Sequence, residues 1–177
     1  MTVDERVILA KYNPQWPIIY LQESKLLQKI LTREIISIDH VGSTAIPGLS
    51  AKPIIDILIG IESLDNSATI INSLKKIGYE KLKTAEQIFP ERLFFKKIDK
   101  QTTQQFNLHI TKHMSDFWNQ LILFRNHLRK HPETTKEYEL IKQHMARRFP
   151  NNLVAYSIGK EGFIVAVVER AKKDNPL

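Results

Sequence analysis

No cysteine occurs in the 177 residues, which excludes disulfides, thiolate metal sites and cysteine nucleophiles. No apolar run approaches the roughly 18 residues needed to span a membrane. The first residues, MTVDERVIL, carry early acids and no long apolar region. They do not resemble a signal peptide, and a cytoplasmic location is the expectation. Internal repeats, low-complexity segments and long linkers are missing as well. So are a GxxxxGK(S/T) phosphate loop, an HExxH zinc helix and a Ser-His-Asp order. What remains is an ordinary globular composition, 42% hydrophobic and 25% charged. The length suits a single domain, residues 1–177, with a sizeable core.

The net charge of +7 is uneven. Residues 1–111 hold 14 basic and 12 acidic groups, whereas residues 112–177 hold 12 and 7. Such an excess favours anionic ligands, from nucleotides to RNA. The basic residues are scattered through helical pattern rather than blocked, so a solvated basic face is the plainer reading and a nucleic-acid surface the weaker one.

Arg6–Lys11 reads as a short strand, and Asn13-Pro14 opens a helix whose Trp16, Ile19, Tyr20, Leu26, Leu27, Ile30 and Leu31 recur every three or four residues. A strand at 35–38, a second at 54–61 and a helix at 65–76 ended by Gly78 follow. Tyr79–Leu82 suits a short strand, and Arg92–Ile98 with Gln104–Thr111 an antiparallel pair. In the last of these Phe106, Leu108 and Ile110 alternate with Asn107, His109 and Thr111, so one face is polar. Beyond Ser115, a suitable N-cap, the pattern is helical. Pro132 divides two helices, and a last one runs from Leu153 to Lys172 with a break near Gly159 or Gly162. The order predicts an α+β (α/β) fold, with a sheet-containing part to about residue 112 and a helical part beyond it.

The chemistry concentrates in Asp39–Ile61, DHVGSTAIPGLSAKPIIDILIGI. Gly42-Ser43-Thr44 breaks a strand at a candidate phosphate-binding turn, with an ordinary turn as the alternative. Asp56 stands alone in an apolar run, where an acid is costly unless something pairs with it. It either holds a divalent metal, Mg²⁺ or Mn²⁺, against phosphates or is paired with Lys52 or an arginine. His109 shares a polar face with Asn107 and could bind a metal or move a proton. Ser43 as a nucleophile needs a base, which only the fold could supply from His40 or His109. Arg125 and Arg129, four apart, either clamp an acid or phosphate or pair within the fold. His127 and His131 have chelate spacing, but with Arg129 and Lys130 between them they read as a solvated face.

This stretch resembles the signature of the GrpB family of small bacterial proteins. The likeness extends to KYNPQWP at 11–17, NLHIT at 107–111, FRNHLRKHPETTKEYELIK at 124–142 and AYSIGKEGFI at 155–164, nearly the whole chain. It implies a nucleotidyltransferase-like fold, a small mixed sheet flanked by helices, and kinship with a domain sometimes fused to dephospho-CoA kinase. In that superfamily a Gly-Ser turn precedes a strand bearing two acids, and a third acid lies on a later strand. Gly42 and Ser43 match the turn and Asp56 the first acid; Leu58 occupies the second acid position and His109 the third. Asn126 stands where the GrpB pattern usually has aspartate, and Asp39 where it has glutamate. These readings together give a ligand-binding set of Gly42, Ser43, Thr44, Lys52, Asn107, Arg125 and Lys160, with Asp56 and His109 as catalytic or metal-binding residues. The expected partner is a nucleotide or phosphorylated small molecule, with nucleotidyl transfer as the associated activity and no membrane partner. The alternatives are a one-metal hydrolase or transferase on Asp56 and His109, or a non-catalytic module that contacts nucleic acid or protein through its basic helices.

Overall fold

The computed structural model describes residues 6–65, 67–82 and 91–174. Residues 1–5, read above as lacking a signal-peptide pattern, lie outside the described residues.

Alternation of side chains organises the sheet. In β2 (Ile54–Ile61), Ile55, Ile57, Ile59 and Ile61 point one way and are buried, while Asp56, Leu58 and Gly60 point the other. β5 (Gln105–Lys112) runs parallel to β2 and does the same with Phe106, Leu108 and Ile110. β1 (Ser37–Val41) flanks β2 antiparallel, and β4 (Arg92–Ile98) flanks β5 antiparallel. β3 (Glu80–Lys81) adds a short edge, giving the order β1-β2-β5-β4-β3.

The apolar face packs on α1 (Trp16–Leu31) and α2 (Ala68–Lys76), with Trp16, Leu27, Leu31, Ile70 and Leu74 in one core with the sheet isoleucines. Each fully buried side chain of this kind contributes about 1.5–3 kcal/mol. One charged cluster interrupts the layer. Lys97 donates to Glu23 Oε1 at 2.8 Å, and the Tyr79 hydroxyl donates to the same oxygen at 3.0 Å. The carboxylate is thereby both paired and hydrogen-bonded, which makes its burial tolerable.

The other face is covered by the carboxy-terminal helices. These are α3 (Asp116–Lys130), α4 (Pro132–Arg148), α5 (Leu153–Ile158) and α6 (Glu161–Asp174). The Ser115 hydroxyl caps α3 by accepting from Trp118 N at 3.3 Å, as its sequence position predicts. Ser115→Ala should cost about 1 kcal/mol, read as a lower urea midpoint at unchanged slope. The last helical stretch breaks at Gly159, where an added Cβ would lie 2.2 Å from Met145 Sδ. A side chain there would oblige the flexible Met145 thioether of α4 to shift.

Two expectations are corrected. Arg6–Lys11 is not a strand: it makes a single antiparallel bridge, Ala10 to Ala51. The helix expected from Asn13-Pro14 begins at Trp16, because Asn13 Oδ1 accepts from Gln15 N and holds a turn first. Among the described residues no helix is long and apolar enough to cross a membrane.

Candidate functional site

Cross-strand register builds the site. Val41, Asp56, Asn107 and Lys96 are successive partners across β1, β2, β5 and β4, and so share the helix-covered face. The Asn107 amide donates to Asp56 Oδ1 at 2.7 Å. On the far side, Gly42 has φ +71° and ψ −174°, a backbone region essentially confined to glycine. A Cβ there would fall 2.2 Å from Asp56 Oδ2. The glycine of the turn therefore makes room for the carboxylate; that is a different role from letting a ligand approach the backbone.

Above Asp56 stand residues of the helical layer. Tyr138 and Lys142 lie one turn apart on α4 and are both buried, Lys142 at 1% exposure. The Tyr138 hydroxyl is hydrogen-bonded to Ser43. Lys142 Nζ donates to the Ser50 carbonyl, while Glu139 Oε2 accepts from Ser50 N at 3.0 Å, so α4 is fastened to the loop after the turn. That loop also sends Ile46 and Leu49 into an apolar cluster with Leu128 and Tyr138. From the α5–α6 corner comes Lys160, its Nζ 3.9 Å from the centre of the Tyr156 ring, with Lys52 Nζ 5.8 Å from the same ring.

Three ammonium groups thus surround one carboxylate, and their electrostatics follow from burial. Loss of water pushes Lys160 down to about 7, assisted by repulsion from Lys142 and Lys52 and opposed by Asp56. Lys142 is pushed down to about 8 by burial, with Glu139 and Asp56 opposing. Burial lowers Lys52 too, against the pull of Asp56. Asp56 is raised by its own burial, although Asn107 and the lysines oppose this. The Tyr138 and Tyr156 hydroxyls are pushed well up by burial and stay protonated.

The structure therefore gathers Gly42, Ser43, Lys52, Asp56, Asn107 and Lys160 of the sequence-derived set around one place. Thr44 is turned inward: its hydroxyl donates to the Ile54 carbonyl at 3.2 Å and lies 3.0 Å from His40 Nε2. His40 thus partners Thr44, while Ser43 partners Tyr138. Arg125 is also engaged internally, since its Nη1 donates to Asp39 Oδ1 at 2.9 Å and to the His40 carbonyl at 3.1 Å. Arg129 holds the Ala45 carbonyl through Nε and Nη2 at 3.0 and 2.8 Å. Arg125 thus ties α3 to β1, and Arg129 ties it to the turn.

His109 pairs with Leu58 in the register, one step from Asp56. Its ring stacks on Phe94 at 4.7 Å and lies 5.9 Å from Phe117, with Arg92 Nη1 3.5 Å from Nδ1. Burial, then the guanidinium, push it down to about 3, so it is neutral at ordinary pH. The polar group that reaches Asp56 is Asn107. His127 corrects another expectation: the pair with His131 is no solvated face, because His127 is only 4% exposed.

Sequence reasoning missed Tyr138, Lys142, Tyr156 and Lys96. Only a lysine one turn beyond a tyrosine, in a stretch otherwise read as amphipathic, marked Lys142.

The donor set can be tested against the metal ions of nucleotidyl transfer. Leu58, wholly buried, fills the second acid position, and Asp56 is the one carboxylate facing three ammonium groups. These residues do not fit a pair of divalent cations, which need several anionic oxygens between them.

Residues 6–170 match the family model described as GrpB protein. Glutamate-rich protein GrpB of Alkalihalophilus pseudofirmus is 38% identical over 160 residues, covering 89% of this chain and 91% of that one. The crystal structure of GrpB from Enterococcus faecalis superposes with a TM-score of 0.83 at 28% identity, covering 94% of this chain and 98% of that chain. Cid1 poly(U) polymerase, in a structure with Mg and 3'-dATP bound, gives a TM-score of 0.57 at 16% identity, covering 84% of this chain and 49% of that one. At that identity the likeness establishes the fold, which is nucleotidyltransferase-like.

Proposed function

The chain belongs to the GrpB family, and from that premise we propose that it binds the phosphate group of a nucleotide or another phosphorylated small molecule at the lysine cluster over Asp56. One observation carries the reading: Lys52, Lys142 and Lys160, each partly or fully withdrawn from water, act on a single carboxylate. Withdrawn like charges are costly, and a bound anion offsets the excess that Asp56 and Glu139 leave. In this reading Lys160 and Lys52 donate to phosphate oxygens. Asp56, held by Asn107, keeps the ammonium groups spread around it. The Ser43 and Tyr138 hydroxyls supply neutral donors. Thr44, Arg125 and His109 support the turn and the sheet without touching the ligand.

Part of the basic excess belongs to the fold and to this cluster. Of the carboxy-terminal cations, Arg125 pairs with Asp39, Arg129 holds a carbonyl, Lys142 is buried and Lys160 lies on Tyr156. Lys112, Lys130, Lys136, Arg147, Arg148, Arg170, Lys172 and Lys173 are exposed, so a solvated basic face remains beside the cluster.

Thermal shift and calorimetry with sulfate, pyrophosphate and nucleoside triphosphates, each with and without Mg²⁺, test the proposal. Binding should appear without Mg²⁺, and Lys160→Ala should weaken it at least about tenfold, the value of a hydrogen bond to a charged group. Asp56→Asn should preserve or strengthen anion binding by removing a like charge. Loss of binding in Asp56→Asn would favour a carboxylate-bound metal instead. A flat response to every anion, or full affinity in Lys160→Ala, would end the proposal.

A further inference from the structure

A second cluster lies where α3 ends and α6 passes it. His127 is in the last turn of α3, His131 stands at the α3–α4 junction, and Asp174 is the last residue of α6. The two imidazoles stack with centroids 4.1 Å apart at 21°. One ligand atom from each of His127, His131 and Asp174 lies within 4.8 Å of the others. The three residues help line a cavity of about 250 Å³, with Trp118, Asn126 and Lys130 also in its wall.

Two independent features mark this as more than a chance grouping. His127 is buried, and its Nε2 has no hydrogen-bond partner. A buried nitrogen left in that state opposes folding, so its retention calls for a ligand or another compensation. In addition, His131 Nδ1 is 3.1 Å from Glu133 Oε1. With Nδ1–H donating to that carboxylate, the ring is oriented and the Nε2 lone pair is left for a metal, which is how a carboxylate commonly supports a metal-binding histidine.

We propose that His127, His131 and Asp174 bind one divalent transition-metal ion of the zinc type, with a further position open to water or an anionic group. Two imidazole nitrogens and one carboxylate oxygen suit Zn²⁺, Co²⁺ or Ni²⁺; Mg²⁺ and Ca²⁺ prefer all-oxygen shells. His131 and Asp174 are not buried, so their side chains can close the remaining distance around an ion. Lys130 in the cavity wall and Arg170 beside His127 oppose a cation, while Asp174 and Glu133 favour it. A bound ion would tie the α3–α4 junction to the end of α6.

The test uses the full chain without an affinity tag, freed of metal by chelation and held at one pH. Zn²⁺ should bind with a stoichiometry of one and raise the melting temperature by several degrees. Co²⁺ should give visible d–d bands that Zn²⁺ abolishes. His131→Ala and Asp174→Asn should each weaken Zn²⁺ by tenfold or more and remove the Co²⁺ bands, and Glu133→Gln should weaken it about tenfold. These side chains are not buried, so the variants keep the test valid if His127→Ala fails to fold. Undiminished Zn²⁺ affinity in both His131→Ala and Asp174→Asn, or no binding by the parent chain, would overturn the proposal.

Discussion

Gly42→Ala should destabilise the protein by about 4 kcal/mol. Two costs add. The backbone at φ +71° and ψ −174° is a region that L side chains avoid at about 1–3 kcal/mol. The new methyl would also lie 2.2 Å from Asp56 Oδ2, forcing the carboxylate out of its place at a further cost of about 1–3 kcal/mol. Gly48→Ala is the control, because Gly48 also has positive φ, +80°, but an added Cβ meets nothing within 4 Å. It should cost only about 1–2 kcal/mol. Removing the obstructing carboxylate in Gly42→Ala with Asp56→Ala should recover the steric share and leave the backbone share. Urea denaturation of Gly42→Ala, Gly48→Ala, Asp56→Ala, the double variant and the parent measures each quantity. If Gly42→Ala proves as mild as Gly48→Ala, Asp56 does not occupy the space assigned to it.

This coupling explains why the centre of the site was legible in the sequence. An acid in an apolar strand has few places to go, and a glycine at the end of the neighbouring strand is a local sign. The alternation of Ile55, Ile57 and Ile59 against Asp56 and Leu58 likewise gives each side chain its face from sequence alone. The helical half of the site gave no comparable sign. Lys142 looks like a solvated residue of an amphipathic helix, and its burial depends on docking to Ser50, 92 positions away. Lys160 stood out only through its family-like motif, since its place near Asp56 of β2 carries no local mark. Glu23 and Lys97 are 74 positions apart and carry no local mark of their pairing. The spacing of His127 and His131 defines a helix side, but which side faces the interior is decided by where α6 packs.

Anion binding should weaken with rising pH while the ligand-free protein becomes more stable over the same range. Lys160 is pushed down to about 7 from an ordinary 10.5, and Lys142 to about 8. Below pH 7 both are protonated whether the chain is folded or not, and their destabilising charge is fully present. Between pH 7 and about 10.5 the unfolded chain holds protons that the folded chain has released. Stability therefore rises with pH there, by at most about 1.4 kcal/mol per unit for each proton. A bound anion needs the charged form and so draws a proton back. For sulfate, whose charge is constant over this range, loss of the Lys160 proton alone should reduce affinity roughly a hundredfold from pH 6 to pH 9. Lys142 adds up to about another tenfold if its charge also contributes. Calorimetry in two buffers of different ionisation enthalpy should register proton uptake on binding near pH 8. The decisive comparison is with Lys160→Met. That variant should lose most of the rise in stability between pH 7 and 9 and most of the pH dependence of its residual sulfate binding. If parent and variant keep parallel curves, Lys160 is not the group that links proton to anion, and the lysine cluster is not the phosphate site.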